Sequence, residues 1–200
     1  MNNINNKICV VGWYFYSKIY EQLSKSKYDV YIVAHRYNKI LDDLNLSYTV
    51  TKNEGLEFGA YNWYIKNVWD KESNVIFMHD DIEMKSRSVL SKIFYKCKQK
   101  KIDQGYIFGK DGTGPHGRCI YSSSSFITKI QEDYDGIYYD KSNIGYIKEK
   151  NQPEGWHKKR YNFGIYKFSK MSLNIGKKYN KKVEKSLNFK GMNQGDRGRL

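Results

Sequence analysis

The sequence predicts a single α/β domain in which a mostly parallel central sheet is flanked by helices. Apolar segments typical of strands alternate with amphipathic segments typical of helices up to about residue 110. The segment NVIFMHDD, residues 74–81, is almost continuously apolar up to its last three residues, as in a strand covered on both faces. A chain of 200 residues is long enough for one domain with a sizeable core. Alternating strands and helices of this kind form parallel sheets with helices on both sides.

The first three strands and the first helix have clear local patterns. KICVVGW is a short apolar strand, and YSKIYEQLSKS places Ile19, Tyr20 and Leu23 at helical spacing behind Ser17, a candidate N-cap. YDVYIVAHR is rich in β-branched and aromatic residues, which predicts the second strand. LSYTVTKN is a weaker third strand that ends at Asn53.

The alternation continues through two further helices. GLEFGAYNWYIKNVW carries an apolar stripe that includes Phe58, Tyr61 and Ile65. SRSVLSKIFYKCKQKK repeats the helical spacing, and QGYIFGK resumes the strand pattern. Beyond residue 110 the pattern is more irregular: SSSSFITKIQEDY predicts a capped helix, and residues 136–150 and 161–168 predict additional strands.

The net charge of +14 is concentrated near the C-terminus. Residues 148–200 hold 15 Lys and Arg against 4 Asp and Glu. Such a segment attracts polyanions, whether nucleic acid, acidic lipid head groups or a nucleotide diphosphate. Three widely spaced cysteines indicate neither a disulfide framework nor a thiolate metal site. The absence of a signal-peptide pattern or a long apolar run predicts a cytoplasmic protein.

Four ionisable residues follow the apolar part of the central strand. His79, Asp80 and Asp81 leave the predicted sheet at its carboxyl edge, where ligands bind in open parallel sheets, and Glu83 follows. Because side chains alternate along a strand, His79 and Asp81 should share one face and Asp80 the other. Two carboxylates near an imidazole suit Mg²⁺ or Mn²⁺, while helix capping or exposure to water is the alternative interpretation.

The order of elements, together with VIFMHDDIE, resembles the nucleotide-sugar-dependent glycosyltransferases of the GT-A fold over roughly residues 7–125. In that family a strand closes with an Asp-x-Asp signature that binds a divalent metal bridging the donor diphosphate. His79 stands at the first Asp position and Asp81 at the second, while Asp80 and Glu83 are alternative sources of a carboxylate. The resemblance implies a GT-A-like, Rossmann-like domain with Mn²⁺ or Mg²⁺, which moves a sugar from a nucleotide-diphosphate donor to an acceptor hydroxyl.

The same resemblance implies an organisation of the chain. Residues 1–110 would form a nucleotide-binding α/β half, residues 111–176 the acceptor side of the same domain, and residues 177–200 a basic, partly mobile tail. Arg36 would approach the nucleotide base or phosphate through its planar fork. Asn53 and Glu57, at the junction of a strand and a helix, would accept hydrogen bonds from a ribose, base or sugar. For Glu57 the structural alternative is a first-turn acid favourable to the helix dipole.

NQPEGWHKKRYNFG, at the start of the basic segment, supplies further candidates by the same resemblance. In many enzymes of that fold a late His or basic side chain reaches the metal or the leaving diphosphate, which implies His157, Lys158 and Arg160. A late acid acts as base toward the acceptor hydroxyl; Glu154 fits that role, with Asp133 and Asp135 as competitors.

Two other functions remain open from the sequence. The basic, Tyr-rich C-terminal quarter could track a nucleic-acid backbone and stack bases, although aromatic residues are spread over the whole chain. A GT-A-like domain without catalysis could serve as a binding module, with its basic tail on an acidic membrane surface or a glycan. The expected partners are therefore a nucleotide-sugar donor and a glycan or other hydroxyl acceptor, with nucleic acid the less favoured partner.

Overall fold

The computed structural model describes residues 5–108, 117–137, 166–187, 189 and 191–194. The strands are β1 (Asn6–Gly12), β2 (Asp29–Ala34), β3 (Ser47–Val50), β4 (Asn74–His79), β5 (Ile82–Met84), β6 (Gln104–Tyr106), β7 (Cys119–Ser122), β8 (Val183–Glu184) and β9 (Met192–Gln194). The helices are α1 (Ser17–Ser24), α2 (Ile40–Asp43), α3 (Leu56–Asn67), α4 (Ser88–Gln99), α5 (Ser124–Tyr134) and α6 (Tyr166–Lys178).

Seven of the strands form one sheet in the order β3-β2-β1-β4-β7-β6-β8. The first four are parallel neighbours, which confirms the predicted α/β class with a mostly parallel sheet. The sequence pattern did not show that β7 lies between β4 and β6 and runs antiparallel to both. The chain reverses after β6, so the next strand returns beside β4 in the opposite direction.

Strand β4 separates two cores through the alternation of its side chains. Ile76 and Met78 pack with residues of α1 and α4 on one face. Val75 and Phe77 pack with residues of α3, α5 and α6 on the other face. This alternation continues past the end of the strand, and it decides on which side of the sheet each polar side chain of the site lies.

Helix α6 replaces part of a predicted strand. The predicted strand over residues 161–168 is wrong where it can be compared, because Tyr166 begins a helix. Phe168, Met171 and Ile175 are spaced as on one face of a helix, and all three are buried against the sheet. The helical period of 3.6 residues therefore describes this segment better than the alternation of a strand. The strand predicted over residues 136–150 lies almost entirely outside the described residues.

The basic C-terminal segment contributes two short strands. Val183–Glu184 pairs with β6 at the edge of the main sheet, and Met192–Gln194 pairs antiparallel with β5, just beyond the His-Asp-Asp motif. Leu187 is buried in the core on the α1 and α4 side. Among the residues that the structure describes, no helix is long and apolar enough to span a bilayer.

The predicted cap of helix α5 gives a first testable result. The Ser123 hydroxyl accepts a hydrogen bond from the backbone N–H of Phe126 at 3.3 Å. Replacing Ser123 by alanine should lower the free energy of unfolding by about 1 kcal/mol, measured by urea denaturation, because a donor in the first turn loses its acceptor. Ser88→Ala is the control, since Ser88 is an exposed serine in the first turn of α4 whose hydroxyl pairs with that of the exposed Ser86. An equal loss in both variants would argue against the cap.

Candidate active site

The carboxyl ends of the parallel strands bring four loops together. The backbone N–H of His35 donates to Gly12 at 3.0 Å, and that of Thr51 donates to Ala34 at 2.8 Å. The backbone N–H of Asp80 donates to Val11 at 3.2 Å. The segments that follow β1, β2, β3 and β4 therefore meet at one edge of the sheet, where open α/β sheets bind their ligands.

His79 lies between two carboxylates at this edge. Its Nε2 is 3.8 Å from Oε2 of Glu57, and its Nδ1 is 3.6 Å from Oδ1 of Asp81. The three side chains are almost fully enclosed, with exposures of 8% for His79, 3% for Glu57 and 1% for Asp81. Neither ring nitrogen of His79 makes a hydrogen bond within the described ranges. We call Glu57, His79 and Asp81 the acid–histidine cluster.

Two local features of the sequence bring this cluster together. His79 has the same parity as Val75 and Phe77, so its ring lies on the α3 side of the sheet. Glu57 reaches it from the first turn of α3, where Gly55 and Leu56 have φ values of 76° and 52°. Leucine seldom adopts this left-handed conformation, and backbone strain of this kind is concentrated at functional sites.

Asp80 lies on the opposite face and has a different role. Its Oδ2 accepts hydrogen bonds from the backbone N–H groups of Trp13, Tyr14 and Phe15 at 2.8–2.9 Å and from the Tyr20 hydroxyl at 3.1 Å. The side chain is fully buried. Burial raises the pKa of Asp80, and the N–H donors of Phe15 and Trp13 oppose that rise. The resemblance makes Asp80 an alternative carboxylate for binding the cofactor, whereas in this structure its carboxylate contacts the loop after β1.

His35 lies on the α3 side of the site, and it is not among the residues that the sequence predicts for the site. His35 comes directly after β2, and alternation places its side chain on the same face as that of Val33. Glu57 and His79 both affect the pKa of His35 electrostatically: Glu57 raises it and His79 lowers it. Its Nδ1 is 3.5 Å from the Thr51 hydroxyl, and its ring packs edge-on against Trp13. Alternation along YDVYIVAHR is the sequence signal that could have placed His35 on this side.

The half-buried imidazole of His35 makes the free energy of unfolding depend on pH. Burial lowers the pKa of His35 to about 4, so the folded protein holds the ring neutral where the unfolded chain would protonate it. The free energy of unfolding should therefore fall as the pH drops from about 6.5 toward 4, by up to roughly 3 kcal/mol. Urea denaturation of wild type and His35→Asn at pH 7 and pH 4.5 measures this. The variant should lose less stability over that interval, and an identical loss would contradict the assignment.

Arg36 comes directly after His35, and its side chain lies against the loop that follows β1. Its Nε donates to the backbone oxygen of Trp13 at 2.9 Å. The centre of its guanidinium group is 5.5 Å from the centroid of the Trp13 ring and 5.6 Å from that of Phe15. The guanidinium group is therefore held beside two aromatic rings at the carboxyl edge while the side chain remains exposed.

The remaining predicted residues fall in three places. Asn53 is at the carboxyl edge in the loop before α3, and its Oδ1 is buried with no hydrogen-bond partner in the described part of the chain. Asp133 binds Lys178 and Tyr179 at the end of α6. Asp135 forms an ion pair with Lys66, which lies in the last turn of α3. Lys66 is nine residues after Glu57, which places it roughly 13–14 Å further along the helix. Neither aspartate joins the acid–histidine cluster.

The candidates from the segment NQPEGWHKKRYNFG lie outside the described residues: Glu154, His157, Lys158 and Arg160.

The geometry limits how a divalent ion could bind here. Glu57 and Asp81 face opposite nitrogens of the His79 ring, so one ion cannot contact all three side chains in this arrangement. Accordingly, no group of three or more His, Cys, Asp or Glu side chains is placed to bind one ion within residues 5–108, 117–137 and 166–187. Asp81 with Nδ1 of His79 is a two-ligand set, which suits Mg²⁺ or Mn²⁺ when water and substrate phosphates complete the shell.

Comparison with known proteins gives structural relatives only. No protein-family model matches the sequence, and no curated protein matches it. Among solved structures, the chain is similar to the mannosyltransferase PcManGT from Pyrobaculum calidifontis, determined in complex with GDP-Man and Mn²⁺. The identity is 10%, the TM-score is 0.50, and the match covers 70% of this chain and 51% of PcManGT.

A second similar structure is the glycosyltransferase GlyE of Streptococcus pneumoniae TIGR4, at 11% identity and a TM-score of 0.44. That match covers 90% of this chain and 45% of GlyE. The chain thus spans about half the length of the two enzymes. At these identities the similarity concerns the fold alone, and the α/β fold of this chain is similar to that of a solved glycosyltransferase.

Proposed function

We propose that this protein transfers a sugar from a nucleotide-diphosphate donor to an acceptor hydroxyl, with the donor at the carboxyl edge of the sheet. The observation that supports it most is the acid–histidine cluster, which lies where strand β4 ends and contains His79 and Asp81 of the His-Asp-Asp motif. The fold similarity to PcManGT agrees with the same function. A glycan or other hydroxyl compound is the proposed acceptor.

A divalent cation is part of the proposal, with Asp81 and His79 as its protein ligands. Mn²⁺ or Mg²⁺ held there would offset the charge that develops on the departing diphosphate. Mg²⁺ and similar ions are commonly bound by one or two carboxylates together with substrate phosphates, which agrees with the small number of protein ligands in the described residues. Glu57 would hold the far side of the His79 ring and fix its orientation.

The remaining groups have roles within this proposal. Arg36 and Asn53 would contact the nucleotide, and Lys158 and Arg160 would contact the diphosphate, with His157 as a further metal ligand. Glu154 is the proposed base toward the acceptor hydroxyl. It is preferred to Asp133 and Asp135 because those two are engaged with Lys178, Tyr179 and Lys66 away from the cluster. Activity is proposed to occur in the cytoplasm, with the basic tail against an acidic membrane surface.

A thermal-shift screen tests the proposed function. Nucleotide sugars with different bases and sugars are added to the protein with and without Mn²⁺, and the melting temperature is recorded. We expect at least one nucleotide sugar to raise the melting temperature only when Mn²⁺ is present, because ligands that bind the native state stabilise it by mass action. Stabilisation by oligonucleotides that falls steeply with salt, and by no nucleotide sugar, would favour nucleic-acid binding instead.

A further inference from the structure

The loop after β1 forms a concave group of backbone donors. The N–H groups of Trp13, Tyr14 and Phe15 converge on one point, and Phe15 has a left-handed φ of 59°. Successive N–H groups in such a conformation form an anion-binding concavity that commonly holds a phosphate. We call these three N–H groups the loop nest.

In this chain the loop nest is already filled. Oδ2 of Asp80 receives all three N–H groups, and the Tyr20 hydroxyl closes the fourth side. Gly12 allows this close approach, since a Cβ there would lie 3.1 Å from the Tyr20 hydroxyl and 3.2 Å from the Phe15 ring. An external phosphate cannot bind these amides while Asp80 occupies them, so the loop backbone offers no site for a diphosphate.

The loop that Asp80 holds also holds Arg36. The Trp13 carbonyl accepts from Arg36 Nε, and the rings of Trp13 and Phe15 flank the guanidinium. The outer two nitrogens of Arg36 have no hydrogen-bond partner among the described residues, and they form the fork that binds two phosphate oxygens at once. The Trp13 ring also packs on the His35 ring, with 6.3 Å between the ring centroids. Trp13 therefore contacts both Arg36 and a side chain on the α3 side of the site.

We infer that Asp80 is a positioning residue: by occupying the loop nest it fixes Trp13 and Phe15, and through them it presents the Arg36 fork as the anion-binding group of the site. This inference deepens the proposed function, because it assigns the contact with the donor diphosphate to Arg36 and not to the loop backbone. Asp80 itself touches no ligand. Its effect on binding should therefore disappear when Arg36 is absent.

Binding of inorganic pyrophosphate tests this without requiring catalysis or a known nucleotide. Isothermal titration at low salt compares wild type with Arg36→Ala, Asp80→Asn and the double variant. Arg36→Ala should weaken binding by about ten- to a hundredfold, the usual effect of losing hydrogen bonds between charged groups. Asp80→Asn should weaken it by a comparable factor, and the double variant should be no weaker than Arg36→Ala alone to within about twofold.

Two controls separate positioning from general damage. Arg87→Ala removes another exposed arginine that donates to a backbone carbonyl, that of Lys25 at 3.2 Å, and should change the affinity by less than about twofold. Amide hydrogen exchange should become faster over residues 13–15 in Asp80→Asn. If that variant does not fold, Trp13→Leu removes the ring beside Arg36 but keeps the backbone N–H, and should weaken binding about two- to fivefold.

Three results would overturn the inference. They are unchanged or tighter pyrophosphate binding in Asp80→Asn, losses that add in the double variant, and no detectable binding of pyrophosphate by wild type. Failure of the proposed function has a different signature. If pyrophosphate binds with the expected dependence on Arg36 and Asp80 but no nucleotide sugar is bound or turned over, the inference stands and the sugar-transfer proposal does not.

Discussion

If the proposed function holds, replacing Asp81 by asparagine should reduce the rate of sugar transfer by at least about 100-fold, because it removes a negative charge where the proposal places the cation and the donor diphosphate. Asparagine has nearly the same shape, so the packing of this buried side chain should persist. The contact with Nδ1 of His79 at 3.6 Å would then involve an uncharged amide in place of the carboxylate. The measurement is steady-state transfer with the donor found in the thermal-shift screen, together with the melting temperature of each variant.

Glu83→Gln is the matched control for this substitution. Glu83 lies two residues further along the same segment and is exposed on strand β5, so it carries the same charge without access to the cluster. Its replacement should change the rate by less than about twofold, since exposed charges contribute little. Full activity in Asp81→Asn, or equal losses in both variants, would contradict the role given to Asp81.

Replacing Asp80 by alanine should have the largest effect on stability, lowering the free energy of unfolding by about 3–5 kcal/mol. The substitution removes the acceptor of three backbone N–H groups and one hydroxyl, and buried donors without acceptors are costly. This is a large part of the 5–15 kcal/mol that stabilises an ordinary domain. Urea denaturation followed by circular dichroism measures the change.

Tyr20→Phe provides the graded comparison. It removes only the hydroxyl donor, which reaches Oδ2 of Asp80 at 3.1 Å, and keeps the ring stacked against Phe15. We expect a loss of about 1 kcal/mol, the usual contribution of one hydrogen bond. If Asp80→Ala were no more destabilising than Tyr20→Phe, the loop nest would not depend on the Asp80 carboxylate.

The central strands and their helices could be predicted because their signals are local. A strand covered on both faces is apolar throughout, and a helix against a sheet carries a stripe of period 3.6. The same alternation predicted correctly that His79 and Asp81 share one side of β4 and that Asp80 takes the other. These features depend only on the geometry of a strand.

The partners of these side chains could not be predicted, because they come from distant parts of the chain. Asp80 meets N–H groups about 65 residues earlier, and Glu57 approaches His79 from a helix that follows a left-handed turn at Gly55 and Leu56. Such a turn leaves no periodic pattern in the sequence from which it could be predicted. The position of β7 beside β4 likewise depends on a reversal of chain direction between β6 and β7. Local sequence patterns do not predict that reversal.

Anomalous diffraction from crystals grown with Mn²⁺ and the nucleotide sugar found in the screen tests the central claim most directly. We predict one manganese peak within about 2.0–2.4 Å of an Asp81 carboxylate oxygen, with the donor diphosphate among its other ligands. A nucleotide sugar bound with its diphosphate and any manganese away from Asp81 and His79 would contradict it.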